Sequence, residues 1–535
     1  MTRTDLRSER GFTMIAVMIV MMTATLVATG TILAAQHDLP FSKASSDRKQ
    51  AYAAAEAGVE FYLHQLTNDN EYWTKCTNVP APAPINQKGA NPRKWRALSG
   101  TNAQYTIELM PANGATECKL GEADKTLLDQ STGTIKIRAT GRAGDTTRSI
   151  VAEFRRAGFL DFLYFTDFET TSPEGYDDDD SRRFAEDNCA GKYRADRDSR
   201  CQEIQFISDD KNLGPFHTND DILACGGYTL GRSDADKIEI VKGSPKGWSH
   251  PGVSGTCDSG EPNVQGQLDH PATYLPMPTT NAAVRDKAAP AYSYKGRTWI
   301  EFRGNQMVVT TWTSSTSTNT QTLPLPTNGV IAVRNDPVIG CSGVQPPVRQ
   351  SYSEPRGCGN VTVWGNYSKS LTIASEKDII VGTPVDPGTN TPLQSTADLT
   401  RNGDVVLGLI ADKFVRVSHA VSRSGSCSNR SPVMRAIRID AAILSLNHSF
   451  MADNHDCGSE LTDSNGDSLT VTGAIAQRYR GPVGQTYSGG KHGFTKNYVY
   501  DDRLRYRSPP YFLTPIQSAW NISRENEQVP AARQD

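Results

Sequence analysis

The chain lacks an excess of charge of either sign: 56 Lys and Arg stand against 59 Asp and Glu, a formal net charge of −3. Nucleic-acid binding needs a basic patch or stripe, so that class of partner is not expected. Paired cysteines are missing too. None of the 10 Cys stands in a Cys-x-x-Cys, which argues against zinc ribbons and thioredoxin-type redox sites. There is no Gly-x-Ser-x-Gly elbow, no phosphate-binding Gly-x-x-x-x-Gly-Lys-Ser/Thr loop, no His-Glu-x-x-His, and no Gly-x-Gly-x-x-Gly after a strand. The chain is therefore not expected to be an enzyme, and no catalytic residue, cofactor or metal site is assigned. Long apolar runs are scarce. The conspicuous one is Phe12 to Ala35, 24 residues without a charge.

What remains is a 535-residue chain, 37% hydrophobic with 44 Gly and 30 Pro, long enough for about two to four domains rich in turns. The cysteines are Cys76, Cys118, Cys189, Cys201, Cys225, Cys257, Cys341, Cys358, Cys427 and Cys457. Behind a membrane-targeting leader they read as disulfides. Connectivity stays open, with neighbour pairing (189/201, 225/257, 341/358, 427/457) the expectation and Cys76 with Cys118 a staple for the loop between them.

The leader is "ERGFTMIAVMIV", Glu9 to Val20. At about 1.5 Å per residue the run behind it spans a bilayer, and it exceeds the roughly 7–15 apolar residues of a secretory signal. Arg3, Arg7 and Arg10 outnumber Asp5 and Glu9 ahead of it, which places the N-terminus on the cytoplasmic side. A single-pass helix with an extracytoplasmic remainder is expected. After Pro40 comes "AYAAAEAGVEFYLHQL" (51–66), in which Tyr52, Ala55, Val59, Tyr62, Leu63 and Leu66 recur at helical spacing. Residues 12–66 read as one transmembrane and stalk helix behind a leader stub, 1–11.

On these residues the segment resembles a type IV pilin or pseudopilin. "AAEAG" (54–58) looks like the N-terminal segment of PilX-type minor pilins. The resemblance implies cleavage after Gly11 by a prepilin peptidase and methylation of Phe12 as the new N-terminus. It also implies packing of the helix first in the lipid bilayer and then against other pilin subunits. One position departs from the family: the fifth mature residue is usually Glu and here is Ala16. That Glu pairs with the neighbour's N-terminal amine, so its absence implies a terminal or low-abundance subunit on a pilus or cell surface.

Strand-like runs "AQYTIELM" (103–110), "GTIKIRATG" (133–141) and "TTRSIVAEFRR" (146–156) then predict a small antiparallel sheet over 67–157, the last two forming a hairpin across "RAGD". Residues 158–297 read as β-rich with a charged surface loop over 174–201. Asp177–Asp180 there offer oxygen ligands for calcium, against the plainer reading of a solvated acidic loop. "HTNDD" groups His217, Asp220 and Asp221, which reads mainly as a turn feeding a strand at 222–225. From 298 to 522 short apolar runs with Gly, Asn or Asp corners predict a β-solenoid with a C-terminal cap; a β-sandwich with insertions is the alternative. Phrases such as "GLIADKFVRV" (408–417) and "AAILSLNHSF" (441–450) resemble solenoid-type ectodomains that follow PilX-type leaders; a surface or polysaccharide ligand stays open, and the alternative function is a membrane-anchored cell-surface protein that binds polysaccharide or an enzyme that degrades it. "DSNGD" (463–467) reads as a hairpin or coil corner. His448 and His455 read as surface residues, and 523–535 as a disordered tail. The fold class expected overall is α+β: a long N-terminal helix with a small antiparallel sheet, then a mainly-β domain.

Overall fold

A computed structural model describes residues 12–532 outside 77–85, 88–94, 119–125, 252–256, 351–354, 385–391, 396–404, 422–435, 462–468, 516–519 and scattered gaps of one to three residues. The chain divides into two units. One comprises Met1–Leu128, Ile135–Phe154 and Arg524–Asp535; the other comprises Asp129–Thr134 and Arg155–Ser523.

In the first unit a helix, α1, runs Phe12–Asn68. The small residues of "AAEAG" have a packing reason. Ala51, Ala54, Ala55, Val59, Tyr62 and Leu66 are all buried, and a Cβ on Gly141 of the sheet would sit 2.0 Å from the Ala51 carbonyl oxygen. Helix and sheet therefore touch backbone to backbone, which only small side chains permit. Burying Val59 and Leu66 there contributes about 1.5–3 kcal/mol each. Strands Gln104–Met110 and Thr134–Ala143 pair antiparallel from Gln104↔Arg142 to Met110↔Lys136. Thr146–Arg156 follows beside them, and next to it lies Trp520–Gln528. The stretch expected as a disordered tail over 523–535 thus begins as a strand, as far as Gln528. Its polar string "WNISRENEQ" has no apolar alternation, yet pairing it covers an otherwise open sheet edge. An Arg148–Glu527 ion pair and a bond from Ala532 N to Ser149 Oγ (3.0 Å) fasten it.

The second unit is mainly β and carries a large sheet dominated by parallel pairing. Antiparallel sandwich pairing is not what the inward runs adopt. Strands on either side of residue 297 share this one sheet. The longest ladder has an order the sequence does not suggest. Tyr164–Phe168 pairs with Phe216–Thr218, then Lys237–Ile240, then Gln267–Asp269. The ladder resumes at its other end with Ser293–Lys295, Val330–Arg334, Leu371–Ser375, Leu407–Ala411, Ile437–Ser445 and Leu469–Tyr479. Leu469–Tyr479 closes it by pairing with Tyr164–Phe168, Ile475↔Tyr164 and Ala476↔Phe165. The chain thus joins its own ladder in the middle. Every pairing is parallel, and Ile331, Ile373, Leu409, Ile443, Ile475, Tyr164, Phe216 and Ile238 stack inward in one continuous buried row.

The segment 270–292 carries the chain back across the rungs. Asparagines hold it to them in turn. Leu275 N donates to Asn219 Oδ1 (3.0 Å), Asn447 Nδ2 donates to Thr279 O (2.8 Å), and Asn281 Nδ2 donates to both Ser375 O and Ile410 O (2.8 Å each). Leu275, Met277 and Val284 on this strap cover the outward row Ala374, Ile410, Leu444, Ala476 and Phe165. Those alternate positions are apolar because they too are buried.

Candidate functional site

Gly11 lies outside the described residues. Phe12 opens α1, and the helix has no acidic residue in its first turn, where Ala16 sits exposed. Met14, Ile15, Val17, Met18, Ile19, Val20, Met21, Met22, Leu26 and Val27 are 52–70% exposed. The expected transmembrane span is not met: among the described residues no helix is long and apolar enough to cross a membrane. The described side chains of the apolar stretch cover 14–29, 16 residues, roughly 24 Å of helix against the ~30 Å of a bilayer core.

Among the described residues, disulfides join Cys76–Cys118, Cys189–Cys201, Cys225–Cys257 and Cys341–Cys358. Cys427 lies outside the described residues, so its pairing with the buried Cys457 is not described here. The corner 463–467 is likewise outside them.

The acidic run does local work. The insert expected as a loop over 174–201 contains a helix, Asp179–Asn188, because Asp178 caps it, accepting from Ser181 N (2.8 Å) and Ser181 Oγ (2.7 Å). Asp179 pairs with Arg182 at 3.0 Å, Asp180 with Arg183, and Asp177 with Arg349.

His217, Asp220 and Asp221 are buried, on and just after the strand Phe216–Thr218. His217 stacks on Phe165 at 5.0 Å, with Nδ1 2.8 Å from Glu239 Oε2 and Nε2 3.1 Å from Asn219 Oδ1. Asn219 is turned by donating Nδ2 to Asp167 Oδ1 (2.9 Å) and Leu275 O (2.8 Å). Asp220 accepts from the backbone N–H groups of Glu169, Arg194 and Asp221 (3.0 Å each) and pairs with Arg197. Asp221 differs. Burial, then the neighbouring Asp220 carboxylate, push its carboxyl up to about 6 against the pull of Arg194 and Arg197. Among the described residues no group of three or more His, Cys, Asp or Glu is placed to hold a metal ion. The cluster's contacts run between the strap, the first ladder strand and the insert, which is the geometry of a structural clasp.

A second cluster, unforeseen in sequence, lines a cavity of about 480 Å³. Glu174, Lys413 and Phe414 form part of its wall beside Arg182, Glu186 and Lys377. Behind them His448, expected at the surface, is 8% exposed and stacks on Phe414 at 4.5 Å. Lys413 Nζ donates to Glu174 Oε1 (2.7 Å) and to His448 Nε2 (2.9 Å), and His448 Nδ1 lies 2.6 Å from Ser172 Oγ. His448 Nε2 also lies 3.3 Å from Glu174 Oε1, so the ring nitrogen faces both the ammonium and the carboxylate. Burial pushes the Glu174 carboxyl up, but His448 and Lys413 outweigh it and hold it well below the usual range. The result is a fixed ion pair in a wall of mixed charge, suited to polar rather than apolar ligands. Ser172 and His448 are 276 residues apart, and no local pattern announces them.

No family model matches the chain, and no curated protein matches it. Among solved structures it is similar to the competence-associated pilin ComZ from Thermus thermophilus, at 10% identity and a TM-score of 0.23 over 90% of this chain and 97% of that one. A score of that size does not define a shared fold.

Proposed function

We propose that the chain is a minor pilin-like subunit: processed after Gly11, joined to other pilin subunits through α1, and displaying a β-solenoid beyond the pilus body. The work is structural, with no reaction assigned. The observation that carries the reading is the asymmetry of α1. Its second half is buried on its own sheet, whereas Met14 to Val27 stand bare at 52–70% exposure, a surface whose burial calls for neighbouring subunits. The solenoid reading rests on the parallel rungs and their continuous inward apolar row. With Ala16 in place of the family's Glu, the subunit belongs at a filament end.

Two measurements test this. The mature N-terminus should be N-methyl-Phe12 by mass spectrometry, and deletion of the chain should reduce piliation or change what the pilus tip displays. An intact Met1 on surface-exposed protein together with unchanged pili defeats the proposal. A second reading, a polysaccharide-binding surface protein, is favoured by one sheet face. Trp299 lies opposite Thr310, which lies opposite Thr320, with Trp312 beside them and Trp364 opposite Glu301. Half-buried indoles among hydroxyls suit sugar rings. Loss of glycan retention in Trp299→Ala with Trp312→Ala, with piliation intact, would favour it.

A further inference from the structure

We propose that Lys496 and Asp210 are joined by an intramolecular amide bond, Lys496 Nζ to Asp210 Cγ, that locks the place where the chain meets its own ladder. Strand Lys496–Tyr500 pairs with Lys211–Leu213 in the register Tyr498↔Asn212 and Val499↔Leu213. Followed two residues back, that register brings Lys496 level with Asp210, 286 positions away in sequence, and Nζ lies 2.9 Å from Oδ2. The two groups line an enclosed space of about 10 Å³ walled by Tyr164, Phe206, Phe450 and Tyr498, room for roughly one water molecule. The same wall holds Arg480, whose guanidinium sits 3.4 Å over the Phe206 ring. The Asp210 side chain is 10% exposed and that of Lys496 22%.

The step balances without any co-reactant. The ammonium passes one proton to the Asp210 carboxylate, giving an amine beside a carboxylic acid. The Nζ lone pair attacks Cγ, and the carbonyl oxygen takes the negative charge of the tetrahedral stage. A second proton moves from nitrogen to the hydroxyl, the C–O bond breaks, and one water leaves. The surroundings favour the neutral amine that this needs: burial lowers the Lys496 ammonium, against Asp210 and with Arg480. Arg480 on the same wall interacts electrostatically with Asp210, a positive charge that favours the developing oxyanion. In water such a condensation is unfavourable. In a tight enclosure, with the ammonium and carboxylate already in contact, proximity and exclusion of water reverse that balance.

The test is the intact mass of the folded full-length chain, followed by proteolysis after reduction. The expected result is a mass one water below that of the sequence, once disulfides and processing are counted, with the Asp210 and Lys496 peptides recovered as one branched species. Asp210→Asn should lose ammonia instead and arrive at the same product. Lys496→Arg keeps the ion pair and the fold but should show the full mass and separate peptides. Full mass and separate peptides in the folded parent chain overturn the proposal. So does a branched species that survives in Lys496→Arg.

Discussion

Within the second unit, two stretches of the same ladder are built differently. Between Val330 and Ile443 each rung of the ladder is the next one along the chain, and the inward row is aliphatic: Ile331, Ile373, Leu409, Ile443. At the join of Leu469–Tyr479 with Tyr164–Phe168, the strands come from opposite ends of the unit and the interior turns aromatic and charged. Tyr164 stacks on Phe216 at 5.2 Å and Phe206 on Tyr228 at 4.4 Å. Arg480 pairs with Glu169 at 3.2 Å and donates to Ile204 O at 2.9 Å, both side chains buried. Aliphatic stacking stabilises without direction, and rungs that follow one another along the chain have their order set by the connection between them. The join has no such tether. Hydrogen-bonded ions have only one good arrangement, so they specify the pairing, at a desolvation cost that aliphatics avoid.

The contrast can be broken from either side. The largest effect is expected for Arg480→Ala, which strands the Glu169 carboxylate: a loss of about 3–5 kcal/mol in urea unfolding. Replacing both partners together, Arg480→Met with Glu169→Leu, should cost much less than either single change predicts; additive losses would show that the pair contributes nothing as a pair. In the aliphatic stretch, Leu409→Ala should cost about 2–5 kcal/mol by leaving a cavity, with the register intact. Gly365→Ala, between the two, should cost about 1–3 kcal/mol. The residue has φ +96°, and an added Cβ would lie 2.2 Å from the Phe302 carbonyl oxygen.

The smallest expected effect depends on pH. Asp221 has its folded pKa raised to about 6, above its unfolded value near 3.9. Its contribution is favourable below about pH 4 and is lost as pH rises through about 6. Asp221→Asn should therefore stabilise the chain by about 1 kcal/mol at pH 7–8, after allowance for screening, and by nothing near pH 4. A stability gain that is flat from pH 4 to 8 would place the cause elsewhere.

How much of this was legible follows from sequence distance. The stalk's small residues, the hairpin across Gly144, the short strands with polar corners and disulfides such as Cys189–Cys201 were readable because their partners lie near in the chain. The helix inside 174–201 was missed although its signal, Asp178 three residues before Ser181 with Asp179 and Asp180 following, was local. A run of four Asp reads equally as a solvated or cation-binding loop, which masks the cap at Asp178. The strand at Trp520–Gln528 was missed because its composition reads as solvated. The burial of His448 was missed because Lys413 and Ser172 reach it from remote segments.

By itself, then, the sequence determined the local geometry of this protein: an apolar helix leading into a close-packed stalk, strands that bury alternate residues, and cysteines spaced to staple neighbouring loops. Periodicity and side-chain size act within a few residues, and those rules are read directly. The tertiary structure alone decided where the chain joins its own ladder, which segment straps its outer face, and which charges are buried at the join. Those choices depend on loop closure over hundreds of residues and on desolvation, and neither leaves a mark in any short stretch of sequence.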